Sequence, residues 1–244
     1  MDQSRQLFLG ILGHDLRNPL NAVQMSAQML TKMSPADSAT IETAAVIDSS
    51  ARAMSRMITD LLDFTGSGLG GGLPLERVGA DLGAVCREVL EESRAAHPEC
   101  DFRYESWGDL TGHWDPVRVR QVVSNLLGNA VQHGASSCEI DLVVRAEPSE
   151  IVMSVHNDGP AIPPEALHTI FDPLVRVVSP HQQRPRRPGS IGLGLYIVRE
   201  VVQAHGGTIE VTSTEQSGTT FTAHFPRASV VKKTQKSSQL PNNC

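Results

Sequence analysis

The sequence predicts a two-domain chain: an all-α helical hairpin that pairs into a dimeric four-helix bundle, followed by an α+β sandwich. Three observations lead there. The first 66 residues carry helical periodicity and almost no strand signal. A glycine-rich segment then breaks all periodicity. From Leu73 onward helix and strand patterns mix. The expected boundaries are a hairpin over 1–66, a linker over 67–74, the α+β domain over 75–227, and a tail over 228–244. That tail is rich in Ser, Lys, Gln and Asn, a composition expected to stay disordered.

In the hairpin, Leu9, Leu12, Leu16, Leu20, Val23, Ala27 and Leu30 follow steps of three and four, a heptad-like stripe. Ser34-Pro35-Ala36-Asp37 interrupts it. A second stripe follows at Ile41, Ala44, Ile47, Ala51, Met54, Ile58 and Leu61. Two such helices joined by a short break make an antiparallel hairpin. One hairpin buries only part of each stripe, so a homodimer is expected. Gly66-Ser67-Gly68-Leu69-Gly70-Gly71-Gly72 reads as a flexible hinge.

Beyond the hinge, Asp81 is a good N-cap for a helix to about Ala96. Asp115-Pro116 opens another, running to about His133, with proline where its missing N–H costs nothing. Glu139–Ala146 and Glu150–His156 read as strands joined at Pro148-Ser149. Ile191–Ala204 reads as helix, and Gly207–Thr214 with Thr219–Phe225 as a terminal hairpin. Helices are expected on one face of a mostly antiparallel or mixed sheet.

Composition narrows the function. Apolar residues make up 40% and aromatics only 4%, so the core is expected to be aliphatic. A net charge of −6 gives no reason to expect nucleic acid as a partner. No apolar run reaches the roughly 18 residues of a membrane span, and no signal-peptide pattern opens the chain. The expectation is a cytoplasmic chain without membrane contact. Cys86, Cys100, Cys138 and Cys244 are scattered with no CxxC pair. That spacing argues against a zinc site and against a disulfide framework, and predicts free thiols in a reducing cytosol.

His14 lies two positions from both Leu12 and Leu16, which places it roughly opposite the buried stripe. Asp15 can bond one ring nitrogen and leave the other nucleophilic. Pro19 inside the same helix costs about 3 kcal/mol, so helix propensity does not account for it. The run Phe8-Leu9-Gly10-Ile11-Leu12-Gly13-His14-Asp15-Leu16-Arg17-Asn18-Pro19-Leu20 closely resembles the phospho-acceptor H-box of sensor histidine kinases. The resemblance implies that His14 takes the γ-phosphoryl group of ATP. It also implies that Asp15 is its base or orienter and that Asn18 positions water for phosphatase chemistry.

The resemblance continues in order. Gln121-Val122-Val123-Ser124-Asn125-Leu126-Leu127-Gly128-Asn129-Ala130-Val131-Gln132-His133 is similar to the family's N-box. Asn125, Asn129 and His133 recur every four residues on one helix face, while Val122, Leu126 and Ala130 form an apolar stripe toward the sheet. A carboxamide oxygen suits Mg²⁺. By resemblance Asn129 is the magnesium ligand and Asn125 supports the phosphates. The family often has Lys-Tyr where this chain has Gln132-His133, so one phosphate-directed charge is lost; His133 can still donate to a phosphate. Val155-His156-Asn157-Asp158-Gly159-Pro160-Ala161-Ile162-Pro163 resembles the G1 box. The family usually has Asp at the position of Asn157, which reads the adenine amino group; Asn157 can accept that bond through Oδ1. Gly159 and Ala161 are expected to let the backbone approach the base, with Ile162 beside them.

Ile170-Phe171-Asp172-Pro173 resembles the F-box, and a lid over the nucleotide is expected from about Leu174 to Ser190, with Arg176 as its phosphate contact. Gly189-Ser190-Ile191-Gly192-Leu193-Gly194-Leu195 resembles the G2 box, a glycine-rich turn offering N–H groups at a helix start. Thr219-Thr220-Phe221 matches the closing strand, and Thr220 is the expected contact there. The family implies ATP and Mg²⁺ as cofactors, a homodimer, a response-regulator receiver domain as partner, and a sensor domain upstream of this chain. The same ATP-binding fold occurs in heat-shock chaperones, gyrases and mismatch-repair ATPases; the H-box hairpin separates this chain from them. Two other readings fit the same residues: a response-regulator phosphatase without kinase activity, and a nucleotide-binding dimer scaffold.

Overall fold

The computed structural model describes residues 20–31, 38–67, 73–135, 137–175 and 192–227. Helix α1 is described over 20–31, and α2 spans Ser38–Ser67. Where the two meet, the stripes use alanine: Ala27, Ala44 and Ala51 are at most 1% exposed. Gln28 donates to Asp48 Oδ1 across the pair at 3.3 Å. The larger stripe residues Val23, Leu30, Ile41, Met54 and Leu61 stay exposed on the single chain.

The second domain is already under way at Leu73, which is buried in its core. Strand β1 (Val78–Asp81) pairs antiparallel with β3 (Thr111–Trp114) as a separate ribbon. The main sheet has five strands in the order β2 (Asp101–Trp107), β4 (Glu139–Ala146), β5 (Glu150–Asn157), β7 (Gly218–Pro226), β6 (Thr208–Thr214). Only β2 and β4 run parallel; the other pairs are antiparallel. Helices α3 (Leu82–Ala96), α4 (Pro116–His133) and α5 (Gly194–Ala204) supply the facing layer. The mixed α+β sandwich is as the sequence predicts. Strands β1, β2 and β3 are additions to that reading: β1 and β3 have only four residues each, whereas the alternation of β2 from Asp101 to Glu105 was available in the sequence. The described residues resume at Gly192, and α5 starts at Gly194, later than the expected start at Ile191.

Two aspartates start the helices. Asp81 Oδ1 accepts from Gly83 N at 2.8 Å. Asp115 Oδ1 accepts from Val117 N and Arg118 N at 3.0 and 3.1 Å, while Oδ2 accepts from Glu76 N at 2.9 Å. One carboxylate therefore caps α4 and pins the incoming chain to it. Arg77 adds a bond to Ala204 O at 2.7 Å, at the end of α5.

The end of α2 touches this domain. Asp63 Oδ2 accepts from Arg118 Nη1 and from Gln121 Nε2, each at 2.8 Å. Phe64 meets Tyr196 edge-on at 5.6 Å, and the Arg199 guanidinium lies over the Tyr196 ring at 5.4 Å.

The cysteine expectation is corrected. Cys100 and Cys138 form a disulfide across 38 residues of chain. Cys100 precedes β2 and Cys138 precedes β4, and parallel pairing of those strands in the register Asp101↔Glu139 brings the two together. Sequence spacing cannot register a meeting made by sheet topology. Cys86 is the free thiol among the described residues; burial pushes its pKa up to about 12.

His205 is buried at the junction of α4 and α5. Its Nε2 accepts from Asp115 N at 3.1 Å, so Nδ1 carries the proton and donates to Val201 O at 2.8 Å. Burial is the main cause of its lowered pKa; Arg77 also lowers it, and Val201 O and Asp115 raise it. The native ring then binds fewer protons than the unfolded one, so stability is full above the ordinary value of 6.5 and falls as pH drops through the lowered one. Asp60 works in the opposite sense: burial raises its pKa to about 6, helped by Asp63. His205→Ala should cost about 1–3 kcal/mol at pH 7.5 by stranding the Asp115 N–H. The cost should shrink toward pH 5.5. Thermal melts of parent and variant at both pH values check this, and a pH-independent difference would refute it.

Candidate nucleotide site

Helix α4 is the wall from which the site is built. Val119, Val122, Val123, Leu126, Leu127 and Ala130 are at most 1% exposed, so that face is spent on the core. Asn125, Asn129 and His133 are left on the other side. Asn125 and Asn129 are half-buried and His133 is exposed. Asn125 Nδ2 donates to Gly194 O at 3.2 Å, which ties α4 to the first residue of α5. The Asn129 carboxamide bonds no described residue. Although His133 remains exposed, desolvation by the surrounding protein lowers its pKa, so the ring is neutral at pH 7. It carries no standing positive charge toward a phosphate.

Asn157 ends β5 on the core face, 3% exposed. Its Nδ2 donates to Asp158 O at 3.3 Å, which orients the amide and leaves Oδ1 as an acceptor. Asp158 is exposed. Gly159 sits against the end of α4: a Cβ there would lie 2.6 Å from His133 O. The glycine is required by this backbone contact, a different reason from the expected approach to a base. Ala161 and Ile162 follow, half-buried, and Ile162 N donates to Ser213 Oγ at 2.9 Å.

The partner of Asn157 across β7 is Thr219, and both face the core. Thr219 Oγ1 bonds Ser213 Oγ at 2.7 Å, which links β7, β6 and the Ile162 amide. Thr220 points to the other face, where its hydroxyl meets His156 Nδ1 at 2.9 Å. Thr220, the expected contact, therefore lies on the face opposite Asn157, and Thr219 shares the Asn157 face. The cause is strand parity: one position along a strand reverses the side.

Phe171 packs edge-on against Phe221 at 6.2 Å. Leu174 holds φ 65° and donates its N–H to Gly192 O at 3.0 Å. Gly192 has φ 83°, a conformation glycine adopts without penalty. This bond joins the two sides of the expected lid. Leu193 is 1% exposed, so its side chain belongs to the core rather than to a ligand surface. Leu195 also packs on the core. Leu193 is the N-cap of α5, and no described side chain caps that helix. The amides of its first turn keep the donor capacity that anions use. His14, Asp15, Asn18 and Arg176 lie outside the described residues, as does most of the lid.

Comparison with known proteins agrees with this arrangement. The His Kinase A (phospho-acceptor) domain matches residues 4–68. The histidine kinase-, DNA gyrase B- and HSP90-like ATPase domain matches residues 114–229. The bacteriophytochrome of Pseudomonas aeruginosa is 32% identical over 211 residues, covering 86% of this chain and 28% of its own. The probable sensor histidine kinase TcrY of Mycobacterium tuberculosis is 30% identical over 207 residues, covering 84% and 42%. The chain thus spans less than half the length of these two relatives. Full-length ShkA, solved in complex with AMPPNP, superposes with a TM-score of 0.67 at 26% identity, over 91% of this chain and 46% of that one. No described helix is long and apolar enough to cross a membrane.

The parity correction is open to measurement. Thr219→Val should weaken AMPPNP binding by about 2–10-fold, the worth of one hydrogen bond. Thr220→Val should leave affinity unchanged. Titration calorimetry on both variants decides it, and the reverse ranking would restore Thr220.

Proposed function

The chain belongs to the sensor histidine kinases, and from that premise we propose that it phosphorylates its own His14 from MgATP and passes the phosphoryl group to a response-regulator aspartate. The observation that supports the reading is that three donor or acceptor groups on α4, β5 and α5 are left without a partner among the described residues. These are the Asn129 carboxamide, the oriented Oδ1 of Asn157, and the first turn of α5, which Asn125 ties to α4.

In this reading Asn157 Oδ1 accepts from the adenine amino group, and Thr219 backs it from β7. Asn125 and the α5 amides hold the phosphates, with Arg176 of the lid as a further contact. The free carboxamide oxygen of Asn129 fits a hard cation and would hold Mg²⁺. Bound there, Mg²⁺ supplies charge neutralisation for the leaving phosphates. Asp15 holds one His14 nitrogen, so the other attacks the γ-phosphorus while ADP leaves, and the proton passes to Asp15 or water. Such transfer asks mainly for positioning and electrostatics. Asn18 serves a separate reaction, the hydrolysis of the regulator's aspartyl phosphate by water, which releases inorganic phosphate.

The chain acts as a homodimer in the cytoplasm. The exposed stripe residues Val23, Leu30, Ile41, Met54 and Leu61 support the pairing, since a second hairpin would cover them. One observation favours phosphatase activity as a second reading: neutral His133 and Gln132 replace a charged phosphate contact, which weakens the hold on ATP.

Incubation with γ-labelled ATP and Mg²⁺ should give an acid-labile label on the protein. His14→Gln should abolish it, and Asn129→Ala should lower it on the order of tenfold or more. A label that survives His14→Gln defeats the kinase reading; ATP binding without label, with dephosphorylation of a phosphorylated regulator, establishes the second.

A further inference from the structure

We infer that the Cys100–Cys138 disulfide is a redox modification site whose reduction by a dithiol weakens the hold on nucleotide. The inference rests on the ATP reading above.

The bond closes a span containing β2, β3 and all of α4, and so both Asn125 and Asn129. Its two ends differ. Cys138 is fully buried, whereas Cys100 is half-buried. Cys138 also holds φ 51°, a left-handed conformation uncommon for a residue other than glycine. From Cys138 a path of backbone bonds leads to the base-reading residue. Cys138 O accepts from Asp101 N at 2.9 Å, and Cys138 N donates to Ala135 O at 3.0 Å. Ala135 N donates to Asp158 O at 2.5 Å. That same Asp158 carbonyl accepts from Asn157 Nδ2 and so sets which way the Asn157 amide faces.

Cutting the covalent tie frees Cys138 to leave the left-handed region. Ala135 then moves with it, and the Asp158 carbonyl loses its fixed position. Asn157 loses the bond that keeps Oδ1 toward the base. The coupling thus runs through one oriented amide rather than through general loosening.

The exchange balances. A thiolate of the dithiol attacks Cys100 Sγ, the more exposed sulfur; the S–S bond breaks, and Cys138 leaves as a thiolate that takes a proton. The second thiol then attacks the mixed disulfide, releases the Cys100 thiol and closes the reagent's own disulfide. Two electrons and two protons reach the chain. Cys86 does not compete, because it is buried and its thiol resists ionisation.

The test uses the full chain carrying Cys244→Ser, poised in oxidised or reduced dithiothreitol. Thiols are counted by alkylation after denaturation, and MgATP affinity is read by titration calorimetry. The oxidised chain should expose one alkylatable cysteine and the reduced chain three. Reduction should weaken ATP on the order of fivefold or more, within the ordinary range of coupling between two sites. By linkage, saturating ATP should make the pair harder to reduce by the same factor. The variant with both Cys100→Ala and Cys138→Ala should bind like the reduced chain and ignore dithiothreitol. The redox comparison on the parent stands even if that variant fails to fold.

Three alkylatable cysteines under oxidising conditions would overturn the inference. Equal ATP affinity in both redox states would overturn it while leaving the ATP reading intact. Absence of ATP binding in either state would overturn both.

Discussion

The packing of α4 on the sheet is the constraint from which the site follows. Its apolar residues at Val119, Val122, Val123, Leu126, Leu127 and Ala130 leave one rotation that keeps them dry. That rotation turns Asn125, Asn129 and His133 outward together. The helix is fixed along its axis as well. Asp115 caps its first turn, and Gly159 fits against the carbonyl of its last residue. Rotation and translation are therefore both set before any ligand arrives, as preorganised electrostatic sites require.

The rest of the site is measured from that helix. Asn125 reaches Gly194 and aligns the start of α5. Ala135, just past the helix, reaches Asp158 and aligns the turn that carries Asn157. Asn157 in turn faces Thr219 through the β5–β7 register. Each step is one hydrogen bond or one strand pair long.

What the sequence revealed follows the range of the interactions involved. The caps at Asp81 and Asp115, the apolar stripe of α4 and the strands β4 and β5 rest on neighbours within a few residues, and local pattern finds them. The boxes around His14, Asn129, Asn157 and Gly192 were legible by resemblance, because such runs combine several residue types at fixed spacing. Thr219 and Thr220 were not separable, since a strand's facing depends on which partner it meets and in what register. The Cys100–Cys138 pair was hidden for a related reason: a parallel pairing of β2 with β4 sets it, and no local pattern says which strand β2 will meet. Which way the Leu193 side chain faces was not legible either, because a glycine-rich turn looks alike whether its middle side chain is buried or exposed.

Two carboxylates grip the start of α4, and the difference between them bears on the proposed transfer of a phosphoryl group between domains. Asp115 holds backbone amides and is nearly sealed from water, so losing it would undo the cap and the entry of the chain together. Asp63 comes from α2 and holds side chains, the Arg118 guanidinium and the Gln121 amide. Arg118 serves both: its backbone N–H goes to Asp115 and its guanidinium to Asp63. The first bond belongs to the fold of one domain, and the second joins two. A side-chain pair can release and swing into water at a cost of a few hydrogen bonds, whereas a capped helix start cannot release without unfolding. The same residue therefore anchors α4 permanently and holds α2 separably. A movement of the proposed nucleotide site relative to the hairpin would then leave the cap of α4 intact.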